Sequence, residues 1–182
     1  IALQATMREV GRMADLVKDT LDVARRVLFT KTREDIELLR GDEDKVDKMC
    51  AAISDYVIKL TRLQISDQEH ENVTRLLQVV SDIERVGDYC ENIAEYAIIK
   101  NKKKYWFSDE AYAEIYECFD HVTRMMTSSI KALESGDYKV ALDVKEQEGE
   151  MNLMEARLKK QHMKRLNEGT CSPEFTVMYN DL

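Results

Sequence analysis

Proline is nearly missing from this 182-residue chain, which has one, at Pro173, and only 6 glycines. Sheet proteins punctuate short strands with those two residues, so their scarcity leaves an all-α fold as the reading. Long apolar runs are missing too, and no 18-residue stretch is free of charge, so nothing in the sequence spans a bilayer as a helix. The N-terminal IALQATMREVGRMADLVKD lacks the charged-then-apolar layout of a secretory signal. There is no basic excess: 27 Lys and Arg stand against 35 Asp and Glu, a net charge of −8. A nucleic-acid face needs clustered cations to replace phosphate counterions, so that class is excluded. An acidic surface suits cations and a cytosolic setting. Cysteines are few and scattered. Cys50, Cys90, Cys118 and Cys171 form no CxxC, which points to reduced thiols and away from a zinc site.

What the chain does contain is heptad periodicity. Met7, Val10, Ala14, Val17, Leu21, Ala24 and Leu28 step by three and four along a first long helix. Thr32 to Leu39 reads as a short extra turn and Gly41 as a break. A second helix then starts near Asp42, with Val46, Met49, Ile53, Tyr56 and Leu60 on its seam. Ser66-Asp-Gln-Glu69 is a capping box and opens a third helix carrying Val73, Leu76, Val80, Ile83, Gly87, Cys90, Ala94 and Ala97. Ser108-Asp-Glu is another start signal, for a fourth helix with Ile115, Cys118, Val122, Met125, Ser129 and Leu133. Ser135-Gly136-Asp137 breaks the chain before a fifth, with Val140, Val144, Met151, Met154 and Leu158, which Gly169 ends. Ser172-Pro173-Glu174 begins a sixth, proline taking the first helical position.

Three helices, a linker and then two and a fraction more suggest a tandem repeat. Sliding the chain by about 105 residues lays Glu148 on Glu43, Met151 on Val46 and Asn152 on Asp47, and Ser172 close to Ser66. The expected architecture is two three-helix bundles in series, residues 1–104 and 105–182, the second cut off at its last helix. Met151, Met154 and Leu158 would then be left uncovered, and a stripe of that kind invites a homodimer.

The third helix carries Glu84 and Asp88 one turn apart with Gly87 between them. Like charges at that spacing cost an isolated helix roughly 0.2–0.5 kcal/mol, and an interior glycine about 1 kcal/mol. Spacing alone selects nothing, since about six or seven such acid pairs are expected from composition. Phase is more selective: Glu84 and Asp88 fall at heptad positions e and b, as do Glu43 and Asp47, and Glu148 and Asn152. Helices two and three are antiparallel neighbours, so Glu43, Asp47, Glu84 and Asp88 can face one another and would repel unless a cation sat among them. On that reading Gly87 admits a close neighbour. The competing reading is plain: Arg85, three residues from both Asp82 and Asp88, absorbs the acids in a surface ion-pair chain, and Gly87 accommodates a large side chain.

Other chemistry is missing from the pattern. The residues three before His70, His121 and His162 are Asp67, Cys118 and Lys159, so there is no Glu-x-x-His diiron pair. GDEDKVDKM lacks the glycine and distal glutamate of a calcium loop, and no P-loop, HExxH or local Ser–His–Asp signature occurs. The histidines read as surface or partly buried filler. KNKKKYWF, residues 100–107, has two readings: a lysine–aromatic patch against anionic lipid, or a cationic helix end followed by an apolar plug for the bundle. The plug is the expectation.

The segment DIERVGDYCENIAE, residues 82–95, resembles the D-L-E-R-I-G-D-x-x-x-N-I-A-E signature of PhoU-like proteins. The resemblance covers the whole chain and implies two three-helix repeats, each with an acidic motif on its third helix. Glu43, Asp44 and Asp47 sit where the family places acids on the second helix. Arg8–Met13 and Gly169–Glu174 look most like the cytosolic PhoU-like domain of bacterial sodium/phosphate cotransporters, in which a membrane domain comes first. The resemblance thus implies a non-enzymatic regulatory domain of phosphate uptake, at the cytoplasmic face of a membrane phosphate transporter and without membrane insertion of its own. It also implies iron or another divalent or trivalent metal, carried over to Glu43, Asp47, Glu84 and Asp88 alone. A second copy of the signature would follow Leu182, and Asn152 replaces an expected acid. The alternatives are a free-standing phosphate-uptake regulator acting through a sensor kinase and, more remotely, a metal-dependent hydrolase.

Overall fold

The computed structural model describes residues 2–30, 32–62, 66–104 and 107–171, with Thr176 and Tyr179. Five helices run through them: α1 (Ala2–Thr30), α2 (Arg33–Thr61), α3 (Asp67–Lys103), α4 (Asp109–Ser135) and α5 (Tyr138–Asn167). Short connections force consecutive helices to reverse direction. α1, α2 and α3 pack mutually as one bundle, α4 lies on α1, and α5 packs on α4. The proposed start of a sixth helix at Ser172-Pro173-Glu174 lies outside the described residues.

Local signals account for most of the boundaries. Ser66 and Glu69 form the reciprocal capping box, Ser108 accepts from the Ala111 amide, and Gly136 ends α4 at a φ of 63°. Gly41 does not break α2. Thr32 is the N-cap, its side chain accepting from the Asp35 amide, and the helix runs straight through position 41. Leu39, fully buried, supplies the reason: packing against the core outweighs the roughly 1 kcal/mol that a helical glycine costs. The seam of α2 also differs from expectation, with Val57 buried and Tyr56 exposed. A 3.6-residue period drifts off a strict heptad within a few turns.

The apolar interior has two centres. One joins Val10, Met13 and Val17 of α1 to Val46, Ile53 and Val57 of α2 and Val73, Leu76 and Val80 of α3. The other joins Leu21, Ala24 and Leu28 to Cys90, Ala94 and Ala97 of α3 and Phe107, Ile115 and Phe119 around α4. Small side chains on the second half of α3 let α1 come close there. Arg25 of α1 fixes α4 from outside, its guanidinium 2.8 Å from Asp120 and 5.0 Å from the Tyr116 ring centre.

Lys100 bears on the KNKKKYWF segment. It is fully buried, its ammonium donating to the Leu28 carbonyl at 2.6 Å and to the Tyr112 hydroxyl at 3.1 Å. Leu28 lies in the last turn of α1, where carbonyls have no helical partner, so a lysine from α3 caps α1. The rings of Phe107 and Tyr112 lie 5.4 and 5.1 Å from the ammonium. With Phe107 buried as well, the segment ties helix ends together, as the plug reading expects; Tyr105 and Trp106 lie outside the described residues. Lys100→Met should lower the unfolding free energy by about 1–3 kcal/mol in a urea titration, because a buried carbonyl loses its donor and a half-buried hydroxyl loses a partner.

The α4–α5 hairpin has its own polar lock. Arg165 of α5 holds Glu114 of α4 with two bonds of 2.7 and 2.6 Å, and the Tyr179 hydroxyl donates to the same carboxylate. His162 stacks on Tyr179 at 4.4 Å, and His121 bonds the Gln147 carbonyl at 2.8 Å and Arg124 at 3.0 Å. Both histidines are fully buried, deeper than the surface or partly buried placement expected; His70 is exposed. Burial holds His162 below the usual imidazole range. The seam of α5 is better covered than expected, Leu158 being buried and Met151 and Met154 half-buried. A groove of about 600 Å³, lined by Ile93, Tyr96, Phe119, Met151 and Leu158, remains between α3 and the hairpin.

Candidate functional site

Val46 and Gly87 are the pivot of the α2–α3 contact. Both are buried, and a Cβ built on Gly87 would lie 3.4 Å from Cγ1 of Val46. Val46 therefore rests on bare α3 backbone, and the helices approach closely at that level. The acids that flank Val46 in sequence, Glu43 and Asp47, are thereby drawn against those that flank Gly87, Glu84 and Asp88. Two energetically awkward features of α3, the glycine and the acid pair, thus belong to one contact.

One carboxylate oxygen from each of Glu43, Asp47 and Asp88 lies within 4.8 Å of the others. Glu84, one turn earlier on α3, falls outside that triad, although Asp47 and Asp88 both act on its charge. Among the described residues, no lysine or arginine makes an ion pair with any of these four acids. Arg85 turns to Asp82 at 3.7 Å and Arg40 to Glu91 at 4.0 Å. The ion-pair chain of the plain reading therefore stops short of the ledge.

The electrostatics register this crowding. Desolvation, followed by the charges of Asp47, Glu91, Asp44 and Asp88, pushes Glu43 up to about 7. Burial, then Asp88 and Asp47, raises Glu84 as well. Cys50, one turn below Asp47, is raised by burial and by Glu84, so its thiol is held neutral beside the acids. Sequence pattern missed Cys50 and Glu91 as neighbours of the ledge, although 43, 47 and 50 on α2 and 84, 88 and 91 on α3 follow the spacing of one helix face. Glu148 and Asn152, their counterparts on α5, are exposed, and among the described residues no acidic set gathers there.

The donor set fits a hard cation. Three oxygens from two helices converge, the neighbouring charges are negative apart from Arg85 beside Glu84, and a cation would relieve the repulsion that adds to desolvation in favouring a proton on Glu43. Gly87 can be tested separately from the acids. Gly87→Ala puts the new methyl in ordinary contact with Val46 and should raise stability by about 0.5–1 kcal/mol. Gly87→Leu overfills the contact and should cost about 1–3 kcal/mol, both read from urea midpoints.

An all-helical bundle with an acidic ledge across two neighbouring helices is the class so defined. The PhoU domain family model matches residues 10–97 and 115–179, and the chain belongs to that family. The "Phosphate-specific transport system accessory protein PhoU homolog 1" of Thermotoga maritima is 23% identical over 94% of the chain and 73% of its own length. The "Phosphate-specific transport system accessory protein PhoU homolog" of Aquifex aeolicus is 33% identical over 53% of the chain and 44% of its own length. The "Putative inorganic phosphate export protein YjbB" of Salmonella typhimurium is 21% identical over 92% of the chain but only 31% of its own length.

Proposed function

We propose that this chain is a non-enzymatic accessory module of phosphate transport that regulates a membrane transporter from the cytoplasmic side. The observation that carries the reading is the family match over both halves, with the acidic ledge on the first. The two separately matched segments also support residues 1–104 and 105–182 as two repeats. The accessory relatives from Thermotoga and Aquifex favour a free-standing regulator over the cotransporter-linked domain expected from sequence. The Salmonella relative, far longer than its match, supports the second reading, a module covalently joined to a transporter. In either form, Glu43, Asp47 and Asp88, with Glu84 beside them, would hold iron or another hard cation; elemental analysis beside Glu84→Gln/Asp88→Asn tests that part.

Radiolabelled phosphate uptake by cells deleted for the gene tests the role. Uptake at high external phosphate should rise when the gene is lost and return to normal when it is restored. Unchanged uptake in the deletion strain overturns the proposal. A C-terminal tag on the chromosomal gene separates the two forms. A short polypeptide that co-purifies with transporter subunits supports the free-standing regulator, and a long membrane-fraction polypeptide supports the joined module.

A further inference from the structure

Helix α5 buries one face against α4, and its opposite face carries a second, unused seam. Leu142, Glu146, Gly149, Leu153, Ala156, Lys160, Met163 and Asn167 step by four and three along the helix, and all are exposed. Leu153 is 75% exposed, Met163 53% and Leu142 47%. A solvent-facing stripe is normally polar, so three large apolar side chains on one line call for a partner. Gly149 adds an independent sign. A Cβ there would meet nothing within 4 Å, so among the described residues no contact accounts for a mid-helix glycine.

We propose that this face of α5 pairs with the same face of a second copy, antiparallel, about a two-fold axis passing near Leu153. The pattern is self-complementary about that point. Leu153 meets its own copy, and Leu142 meets Met163 of the second copy. Gly149 meets Ala156 of the second copy, two small residues that let the helix backbones approach. Glu146 meets Lys160 of the second copy, so the one acid and the one base on the seam pair with each other. On one flank, Asp143 and Glu150 come towards Lys164 and Arg157 of the second copy, which already pair with Glu168 and Glu117 in their own chain. The other flank brings Lys145 towards Lys159, whose ammonium is already paired with Glu155 in its own chain. A two-fold interface must be complementary to itself, and an antiparallel arrangement also opposes the two helix dipoles. The groove between α3 and the hairpin lies mainly on the other side of α5 and shares only the flanking Lys159 with this pairing, so the seam itself does not use it. The proposal is independent of the functional reading above.

Sedimentation equilibrium of the full chain, with charge swaps on the seam, tests it. The wild type should form dimers. Glu146→Lys and Lys160→Glu each place like charges opposite each other and should weaken the dimer about tenfold or more. The double variant restores opposite charges in reversed order and should recover most of the affinity. All these side chains are exposed, and far-UV circular dichroism checks that the fold survives. A wild type that stays monomeric up to about 1 mM, a dimer indifferent to the single swaps, or a double variant that fails to recover would overturn the assignment.

Discussion

Glu114→Ala is expected to destabilise the protein by about 3–5 kcal/mol, measured by urea unfolding followed by circular dichroism. Glu114 is 8% exposed, and its carboxylate is the common acceptor for both guanidinium nitrogens of Arg165 and for the Tyr179 hydroxyl. Removing it strands a largely buried cation that cannot shed its proton, since a guanidinium stays charged at any accessible pH even without its carboxylate. Water reaches Arg165 poorly, so the lost bonds go largely unreplaced. The double replacement Glu114→Leu/Arg165→Met should be milder than Glu114→Ala, because two apolar side chains leave no uncompensated charge. If the double is as damaging as the single, the cost lies in packing and not in the stranded charge.

This lock could not be read from the sequence. Its partners lie 51 and 65 positions apart, and neither spacing nor composition singles out Glu114 among 35 acids. Lys100 was hidden for a related reason: it stands in a lysine run that reads as solvated, yet one member points inward. What could be read was local. The serines at 66 and 108 and the glycine at 136 fix helix ends through their own backbone neighbours, so a short window contains the whole cause. Gly41 misled because the same residue type marks a break or costs a tolerated penalty, depending on packing that no window contains. The acidic ledge lies between these extremes. Shared heptad phase on two helices joined by a short turn was enough to bring Glu43, Asp47 and Asp88 together. The one-turn offset of Glu84 depends on where Val46 seats on Gly87, which only the packed helices determine.

Adding manganese(II), or iron(II) without oxygen, to the metal-free protein should raise its unfolding free energy by about 2.7 kcal/mol at a hundredfold excess over Kd, and by about 4 at a thousandfold. The same ion should leave the Asp47→Asn/Asp88→Asn variant within about 0.5 kcal/mol of its metal-free value, since the converging triad keeps only Glu43 and Glu84 lies outside it. The pH dependence follows from Glu43. Its folded pKa of about 7 stands above the ordinary carboxyl value, so the folded state binds the proton more tightly than the unfolded chain does. The metal-free protein therefore loses stability as pH rises from about 4.5 to 7, and Glu43→Gln should flatten that slope. A cation must displace the same proton, so metal affinity should climb over this interval and level off above pH 7. Metal stabilisation thus grows over the range where the metal-free protein weakens. An ion that stabilises wild type and Asp47→Asn/Asp88→Asn equally, or does so without regard to pH, binds elsewhere, and the ledge would then be an acidic surface held together by the Val46–Gly87 contact alone.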